Sequence, residues 1–200
     1  MPTIYIIAGP PGIGKSTNGS EFLLNSAGEV LNHDKLTLYY KNKGQIDYEN
    51  LSNLKANSFI QEKFLLNLDF GVELNLGLEN HYELIRYVRK NHANYLICVL
   101  MFFTNDIDLC LTRAILREQA GGHNVEPRII NEMYKNSISL LRNNVHLINQ
   151  LQLIDVDYLN TKMVYDGYYP QNKLNFIEPD LPAWVLDNFP EITDNKQKSP

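Results

Sequence analysis

The sequence predicts an α/β protein in which helices cover both faces of a mainly parallel sheet. Apolar segments of strand length alternate with longer segments of helical period, which is the pattern of such a fold. Two strand-length segments, residues 3–8 and 95–103, are apolar along most of their length, as strands buried on both faces are. No internal repeat or Ser/Gly-rich linker divides the chain, so one three-layer domain is the simplest prediction.

The composition is that of a globular protein with a sizeable core. Of the 200 residues, 44% are hydrophobic and 20% are charged, which allows a large buried interior. The net charge is −5 and Lys and Arg do not cluster, which argues against nucleic acid as a general partner. No apolar run approaches the roughly 20 residues that span a bilayer, and the first residues lack the pattern of a signal peptide. We therefore expect a cytoplasmic protein without a membrane partner.

The individual elements follow from local patterns. Strands are predicted at residues 3–8, 29–32, 70–74, 95–103 and 151–156. Helices are expected over residues 16–25 and, from apolar side chains three or four residues apart, around Phe64, Val88 and Ala114. The clearest helix follows Pro127, because proline at the first helical position loses no hydrogen bond.

After residue 160 the periodicity fades. We expect residues 1–160 to form the main domain, and residues 161–192 to form a C-terminal extension packed on it, with a short helix at 182–188. The polar segment 193–200 is predicted to be disordered.

The two cysteines are predicted to be structural. Cys98 belongs to a predicted core strand and Cys110 to the apolar face of a predicted helix. Small buried hydrophobic side chains fit these positions better than a disulfide or a metal site. The histidines show no metal-ligand spacing.

One short segment fits the phosphate-binding pattern G-x-x-x-x-G-K-[ST] at each fixed position. The segment is Gly9-Pro10-Pro11-Gly12-Ile13-Gly14-Lys15-Ser16, with Thr17 directly after it. It lies between a predicted strand and a predicted helix, which is the context that the motif requires. Backbone N–H groups would surround the phosphates of ATP or GTP, Lys15 would reach the β- and γ-phosphates, and Ser16 would ligate Mg²⁺. The sequence therefore predicts a three-layer P-loop NTPase.

Two carboxylates follow predicted strands on the ligand side of the sheet. Asp34 comes at the end of the second strand and Glu73 closes the third. In a parallel sheet the carboxyl ends of the strands face the ligand crevice, so Asp34 could accept a proton from an attacking hydroxyl. Helix capping or a solvated turn is the alternative for Asp34. Glu73 could hold a substrate hydroxyl or a magnesium-bound water, or be a charge on an edge strand.

Two arginines share one face of the helix after the fourth strand. Arg113 and Arg117 are four residues apart, and their face is not the apolar one. Arginine matches phosphate geometry and offsets charge that builds during phosphoryl transfer, so this helix could be a lid over the triphosphate. A solvated basic stripe is the alternative. Gly121-Gly122 could supply a hinge, and His123 could contact phosphate or substrate or belong to a structural loop.

Taken together, these segments resemble the zeta-toxin family of P-loop kinases. The matching segments lie within residues 1–160 and are residues 7–17, Asn32-His33-Asp34, Glu73-Leu74-Asn75-Leu76 and Arg117-Glu118-Gln119-Ala120-Gly121-Gly122-His123-Asn124-Val125. The most particular of these features is an arginine four residues before Gly-Gly-His-x-Val, followed by a helix that contains a tyrosine.

The resemblance implies phosphorylation of a hydroxyl on a nucleotide sugar, UDP-N-acetylglucosamine in the toxins, with ATP as the donor and Mg²⁺ as the cofactor. It implies that Asp34 is the general base and that Lys15 and Ser16 contact phosphate and metal. It further implies that Glu73 and Asn75 belong to the substrate-binding segment and that Arg117 binds phosphate. Family toxins are held inactive by a small antitoxin protein, so the resemblance also implies that kind of partner.

The chain departs from the family pattern after Gly-Gly-His. The family usually carries a second phosphate-binding arginine there, whereas this chain has Val125-Glu126-Pro127 and then Asn131-Glu132-Met133-Tyr134. Arg128 in the first turn of the predicted helix, or Arg113 one turn before Arg117, could substitute. A changed acceptor or a weaker or lost activity is compatible with this departure.

A small-molecule kinase that uses Mg-ATP is the leading hypothesis. An ATPase would need a carboxylate at the end of an apolar strand, whereas residues 95–103 are followed by Thr104-Asn105. A regulatory protein that binds nucleotide without turnover would fit the missing arginine. A polynucleotide kinase would need a more basic surface.

Overall fold

The computed structural model describes residues 1–23, 28–122, 124–168 and 173–192. Seven strands are present in these ranges: β1 (Thr3–Ala8), β2 (Val30–Leu31), β3 (Phe70–Glu73), β4 (Leu96–Phe103), β5 (Gln150–Val156), β6 (Thr161–Tyr168) and β7 (Lys173–Ile177). They form one sheet in the order β2-β3-β1-β4-β5-β6-β7. The first five strands are parallel to one another, and β6 and β7 are antiparallel to their neighbours.

Helices connect the strands and cover the sheet. They are α1 (Lys15–Asn18), α2 (His33–Asn42), α3 (Tyr48–Leu66), α4 (Glu83–Asn91), α5 (Ile107–Gln119), α6 (Pro127–Asn144) and α7 (Ala183–Asn188). None of those in the described ranges is long and apolar enough to cross a bilayer.

Alternate residues of β1 belong to two different cores. Ile4 and Ile6 pack with side chains of α3, α4, α6 and α7 on one face of the sheet. Tyr5 and Ile7 pack on the other face with side chains of α5 and the first turns of α6. This period-two division gives three layers, and it confirms the predicted α/β P-loop NTPase architecture with a mainly parallel sheet. Cys98 and Cys110 are buried in the second core as free thiols, as predicted.

Several predicted elements differ from the structure. The helix expected over residues 16–25 ends after four residues and continues as a 3₁₀ turn, Gly19–Phe22, because Gly19 and Ser20 are weak helix formers. The second strand has only two residues, and α2 follows it directly. No apolar stripe indicates α2 in the sequence, and none of its residues is buried.

The segment after residue 160 extends the sheet. β6 pairs antiparallel with β5 along its whole length, and β7 pairs with β6. These strands were not predicted, because Lys162, Asp166 and Gly167 interrupt the apolar alternation of β6. The short C-terminal helix was predicted, and Pro182 is its N-cap. The prediction of a disordered tail concerns residues 193–200, which lie outside the described residues.

Candidate active site

A cavity of about 1040 Å³ lies at the carboxyl ends of the parallel strands. Its walls are the loop after β1, the first two turns of α2, the end of β3 with the two residues that follow it, His81, the arginines of α5, and the segment that leads into α6. The cavity therefore brings together residues from segments far apart in the sequence, at the sheet edge where ligands bind in open α/β folds.

The loop after β1 depends on glycine at two points of close approach. A Cβ atom on Gly9 would lie 2.3 Å from the carbonyl oxygen of Phe102, and one on Gly12 would lie 2.2 Å from that of Cys110. Both glycines also have positive φ angles, 136° and 83°. The loop is thus packed directly against β4 and α5, which is a backbone arrangement that side chains would prevent.

Lys15 is the buried cation of this loop. Its Nζ donates hydrogen bonds to the carbonyl oxygens of Gly9 (2.7 Å) and Pro10 (3.0 Å) and to Oδ1 of Asn75 (2.9 Å). Burial lowers the pKa of Lys15 to about 8, although the negative charges of Glu73 and Asp34 act in the opposite direction. Among the described residues no carboxylate forms an ion pair with this buried ammonium group, so it is suited to receive phosphate oxygens.

Ser16, Glu73 and Asn32 form a hydrogen-bonded group beside Lys15. The Ser16 hydroxyl donates to Oε2 of Glu73 at 2.7 Å and accepts from Nδ2 of Asn32 at 2.9 Å. The pairing of β1 with β3 aligns Ile7 with Glu73, which places this carboxylate next to the phosphate loop.

A hydroxyl and a carboxylate oxygen are ligands that Mg²⁺ prefers when phosphates and water complete its coordination. The described residues contain no group of three or more His, Cys, Asp or Glu side chains that could hold a metal ion by themselves. Ser16 and Glu73 therefore fit a nucleotide-bound Mg²⁺ better than an ion held by protein ligands alone.

Asp34 lies in the first turn of α2 and lines the cavity. Asn32, not Asp34, caps this helix, since its side chain accepts a hydrogen bond from the backbone N–H of Lys35 at 2.9 Å. The Asp34 carboxylate is exposed, and its negative charge raises the pKa of Lys15. The structure thus places Asp34 on the cavity wall, at the first turn of a helix rather than at a strand end.

The two arginines of α5 line the cavity but have different surroundings. Arg113 donates from Nη1 to the carbonyl oxygen of Ile13 and from Nη2 to that of Asp157, both at 3.2 Å. Arg117 has two buried guanidinium nitrogens, Nε and Nη2, without a hydrogen-bond partner among the described residues. Buried donors without partners cost free energy, so Arg117 is suited to bind an anionic ligand. Arg113 instead stabilises the phosphate loop through its hydrogen bond to Ile13.

The Gly-Gly pair ends the helix that carries Arg117. The N–H of Gly122 donates to the carbonyl oxygen of Arg117 and that of Gly121 to Glu118, both at 2.9 Å, and Gly121 has a φ of 80°. This is the Schellman arrangement of a helix C-terminus. A Cβ on Gly122 would lie 2.7 Å from Cγ of Arg117, so only glycine leaves room for that side chain as it is placed here.

Sequence reasoning missed His81, which lies on the cavity wall in the 3₁₀ turn Glu79–Tyr82. Its Nδ1 is buried and has no hydrogen-bond partner among the described residues. Burial, and secondly the charge of Lys15, lower the pKa of His81. The sequence does not indicate that His81 reaches the cavity. Its position depends on the loop before the turn, in which Leu76 has a φ of 51°.

One predicted contact is not among the residues that line the cavity, and another falls on a residue that the structure does not describe. Arg128 is exposed in the first turn of α6 and is not among the residues that line the cavity, so its suggested replacement of the missing family arginine stays a prediction. His123 lies outside the described residues. The other predicted residues that line the cavity are Pro11, Gly12, Gly14, Lys15, Ser16, Thr17, Asp34, Glu73, Asn75, Arg113 and Arg117.

No family model and no curated protein matches the sequence. The fold is similar to that of the AvrRxo1-ORF1:-ORF2 complex with ATP, with a TM-score of 0.64 and 11% identity over 92% of this chain and 65% of that one. It is also similar to the PezAT chromosomal toxin–antitoxin system of Streptococcus pneumoniae, with a TM-score of 0.60 and 14% identity over 99% of this chain and 86% of that one.

A third similar structure is the Pnkp1/Rnl/Hen1 RNA repair complex, with a TM-score of 0.56 and 16% identity over 71% of this chain and 46% of that one. The chain therefore spans less than two thirds of the length of the AvrRxo1 and RNA-repair chains. At these identities the likenesses show the fold alone, and they agree with the three-layer α/β fold that the sequence predicted.

Proposed function

We propose that this protein transfers the γ-phosphate of ATP, or of GTP, to a hydroxyl group of a small molecule. The observation that carries the proposal is the convergence on one cavity, which Asp34 also lines, of Lys15, the Ser16–Glu73 pair and two nitrogens of Arg117 that have no partner among the described residues. Phosphoryl transfer requires mainly positioning and charge stabilisation, and these groups supply both.

Each side chain has a distinct role in the proposed reaction. The acceptor oxygen forms a bond to the γ-phosphorus while the bond to the β–γ bridging oxygen breaks, and ADP leaves. The Asp34 carboxylate takes the proton of the acceptor hydroxyl. Lys15 and Arg117 offset the negative charge on the transferring group and on the leaving oxygen. A Mg²⁺ ion held by Ser16, with Glu73 beside it, would neutralise charge on the β- and γ-phosphates.

The acceptor class follows in part from the family resemblance. A nucleotide sugar such as UDP-N-acetylglucosamine is the acceptor that the resemblance implies, and the cavity has room for a ligand of that size. ATP is the preferred candidate for the donor because a similar fold was solved with ATP.

The test is direct phosphoryl transfer. The purified protein is mixed with Mg-ATP and a panel of nucleotide sugars, free sugars and nucleosides, and mass spectrometry is used to detect products heavier by one phosphoryl group. We expect one acceptor class to be modified and Asp34→Asn to reduce the rate by about 10²- to 10⁴-fold. Asp47→Asn is the matched control, because Asp47 is the N-cap of α3 outside the cavity. Nucleotide binding without any product would contradict the kinase assignment and favour a regulatory role.

We also propose an antitoxin-like protein partner and a cytoplasmic location. A similar fold belongs to a toxin–antitoxin system, and Mg-ATP is abundant in the cytoplasm. Expression of the chain alone should slow growth of its host, and Asp34→Asn should relieve the effect. Equal growth with the parent and the variant would contradict this part of the proposal.

A further inference from the structure

We infer that Asn32 is a positioning residue, which couples occupation of the phosphate loop to the placement of Asp34. It acts through Ser16 on one side and through α2 on the other. The inference rests on the proposed function, and it concerns how the base is held in place while the donor is bound.

The side chain of Asn32 makes hydrogen bonds to two separate elements. Its Oδ1 accepts from the backbone N–H of Lys35 in α2, and its Nδ2 donates to Oγ of Ser16, both at 2.9 Å. An amide can form both bonds at once, because it carries an acceptor and a donor on one planar group. One small rigid group therefore joins the phosphate loop to the first turn of the helix that carries Asp34.

The register of the sheet brings Asn32 to the phosphate loop. Leu31 is the partner of Val72 in the parallel pair of β2 and β3. The next residues along the two chains, Asn32 and Glu73, therefore reach the same level at the carboxyl ends of the strands. Both side chains meet the hydroxyl of Ser16 there. The contact between Asn32 and Ser16 thus follows from strand pairing.

The link is compatible with a bound nucleotide. The Ser16 oxygen has four tetrahedral positions, namely the bond to Cβ, the proton that it donates to Glu73, and two lone pairs. The amide of Asn32 uses one lone pair. The other is left for the Mg²⁺ ion that a P-loop hydroxyl ligates, so nucleotide binding does not have to break the bond to Asn32.

The helix at the far end of this link is weakly held. None of the residues of α2 is buried, and none belongs to either hydrophobic core. Its hydrogen bonds to α3 join neutral side chains, His33 with Asn53 (2.8 Å) and Thr37 with Ser52 (3.0 Å). Such bonds contribute little net stability, because the same groups bond to water when they separate. The position of the first turn of α2 therefore depends on its link through Asn32.

A bound nucleotide strengthens this link. The hydrogen bond between Asn32 and Ser16 is exposed to solvent in the structure, so water competes for both groups. Phosphates seated in the loop exclude this water, and a hydrogen bond shielded from water contributes more. Occupation of the donor site therefore restrains the first turn of α2, and it holds the carboxylate of Asp34 on the cavity wall.

Hydrogen–deuterium exchange tests this coupling without any acceptor. The exchange of the phosphate loop and of residues 33–42 is measured with and without Mg²⁺ and a non-hydrolysable ATP analogue. In the parent protein we expect the nucleotide to slow exchange in both segments, by at least about tenfold at the backbone amides of Lys35 and Leu36, which bond to Asn32.

Asn32→Ser removes the amide that reaches Ser16 but keeps a helix cap, because serine caps helices about as well as asparagine. We expect this variant to retain the slowed exchange of the phosphate loop and to lose most of that in α2. Asn53→Ser is the matched control, since it removes a hydrogen bond between α3 and His33 and leaves the link to the phosphate loop in place.

Three results would overturn the inference. The first is slowing of α2 in Asn32→Ser equal to that in the parent. The second is an equal loss in Asn53→Ser, which would mean that any loosening of α2 is sufficient. The third is a parent protein in which the nucleotide protects the phosphate loop and leaves α2 unchanged.

Kinetics give a second readout. In Asn32→Ser we expect kcat to fall about 10- to 100-fold, because the base is misplaced, while the KM for ATP changes by less than about threefold. The melting temperature should stay within about 2 °C of the parent value, whereas Asn32→Ala, which also lacks the cap, should melt earlier. An Asn32→Ser enzyme with the parent's kcat would overturn the inference.

Failure of the coupling can be told from failure of the proposed function. If α2 responds to nucleotide as expected but no acceptor receives a phosphoryl group, the kinase proposal fails and the coupling stands. If product forms and α2 does not respond, the kinase proposal stands and the coupling fails. Protection of neither segment would contradict the nucleotide site itself, and both would fail.

Discussion

The hydroxyl of Ser16 donates a 2.7 Å hydrogen bond to Oε2 of Glu73, and this bond joins the start of α1 to the end of β3. The two residues are 57 positions apart in the chain, and the parallel pairing of β1 with β3 brings them together. In P-loop proteins, the strand that carries the carboxylate next to the loop hydroxyl is not always the same one. Here Glu73 is the last residue of β3, the neighbour of β1 on the side of β2, while β4 ends at Phe103 and is followed by Thr104 and Asn105.

The first prediction concerns magnesium. Glu73→Gln keeps a hydrogen-bond acceptor near Ser16 but removes the negative charge, so we expect the Mg²⁺ concentration for half-maximal activity to rise about 10- to 100-fold. The measurement is a Mg²⁺ titration of phosphoryl transfer at fixed ATP. Glu62→Gln, on the exposed surface of α3, is the control. An unchanged Mg²⁺ requirement in Glu73→Gln would show that the carboxylate has no part in metal binding.

The second prediction concerns pH and follows from Lys15. Its folded pKa of about 8 lies below the ordinary value of 10.5, so the unfolded chain binds more protons between these two values. The contribution of Lys15 to the free energy of unfolding therefore rises with pH across this window, by about 3 kcal/mol in total. Urea denaturation at several pH values should show this rise in the parent protein relative to Lys15→Met.

Nucleotide affinity should change in the opposite direction over the same pH range. The phosphates bind the charged ammonium, so the dissociation constant for a non-hydrolysable ATP analogue should increase as the pH rises above about 8, approaching tenfold per pH unit. Calorimetry between pH 7 and pH 10 measures this. A dissociation constant that stays level up to pH 10 would contradict the assignment of Lys15 as the phosphate-binding cation.

The third prediction separates the two arginines of α5. Arg117→Ala removes donors that have no partner among the described residues, so we expect kcat to fall about 10²- to 10³-fold while the melting temperature does not fall. Arg113→Ala removes hydrogen bonds to the backbone at Ile13 and Asp157, so it should lower the melting temperature as well as nucleotide affinity. Identical profiles for the two variants would refute the division of roles.

The fourth prediction concerns the end of α5. Gly122→Ala would place a Cβ 2.7 Å from Cγ and 2.9 Å from the carbonyl oxygen of Arg117. The helix end must shift, so we expect a loss of about 1–3 kcal/mol in the free energy of unfolding and a displaced Arg117 with lower kcat. Gly28→Ala is the control, because a Cβ there meets nothing within 4 Å. If the two variants are equally stable and active, the close packing of Gly122 on Arg117 has no consequence.

The fifth prediction concerns His81. His81→Phe keeps a ring of similar size but removes both nitrogens, so we expect the KM for the acceptor to rise by about tenfold, with little change in the KM for ATP. His81→Asn keeps a hydrogen-bonding group and should retain more of the affinity. A rise in the KM for ATP alone would place His81 on the donor side.

The sequence predicted the candidate site best where the site is formed by the backbone of the phosphate loop. The phosphate loop could be predicted because its glycines are required by contacts to Phe102 and Cys110, and its lysine and serine by the chemistry. The positions of β1 and β4 followed from continuous apolar runs. Arg117 was indicated by the family resemblance, through its spacing to the Gly-Gly pair, and its role stays a prediction, whereas the Schellman helix end is seen only in the structure.

Other parts could not be predicted because their determinants are far apart in the chain. His81 is brought to the cavity by a turn whose preceding loop contains a left-handed leucine, and no local pattern indicates this. The position of Met133 on the cavity wall depends on its close approach to Gly77, which belongs to a different part of the chain. β6 carries charged and polar side chains because it lies near the edge of the sheet, and this obscures the alternation that identifies a strand.

The position of β6 beside β5 also bears on aggregation. β5 is an apolar strand in which Leu151, Leu153 and Ile154 are fully buried, and β6 pairs with it from Gln150 to Val156. Without β6 and β7, the N–H and C=O groups of β5 would form an open apolar edge, and such an edge recruits strands of other molecules. On β7, Lys173 and Asn175 are exposed, as is Phe176. The C-terminal strands thus cover an apolar strand edge that would otherwise be open to other molecules in a crowded cell.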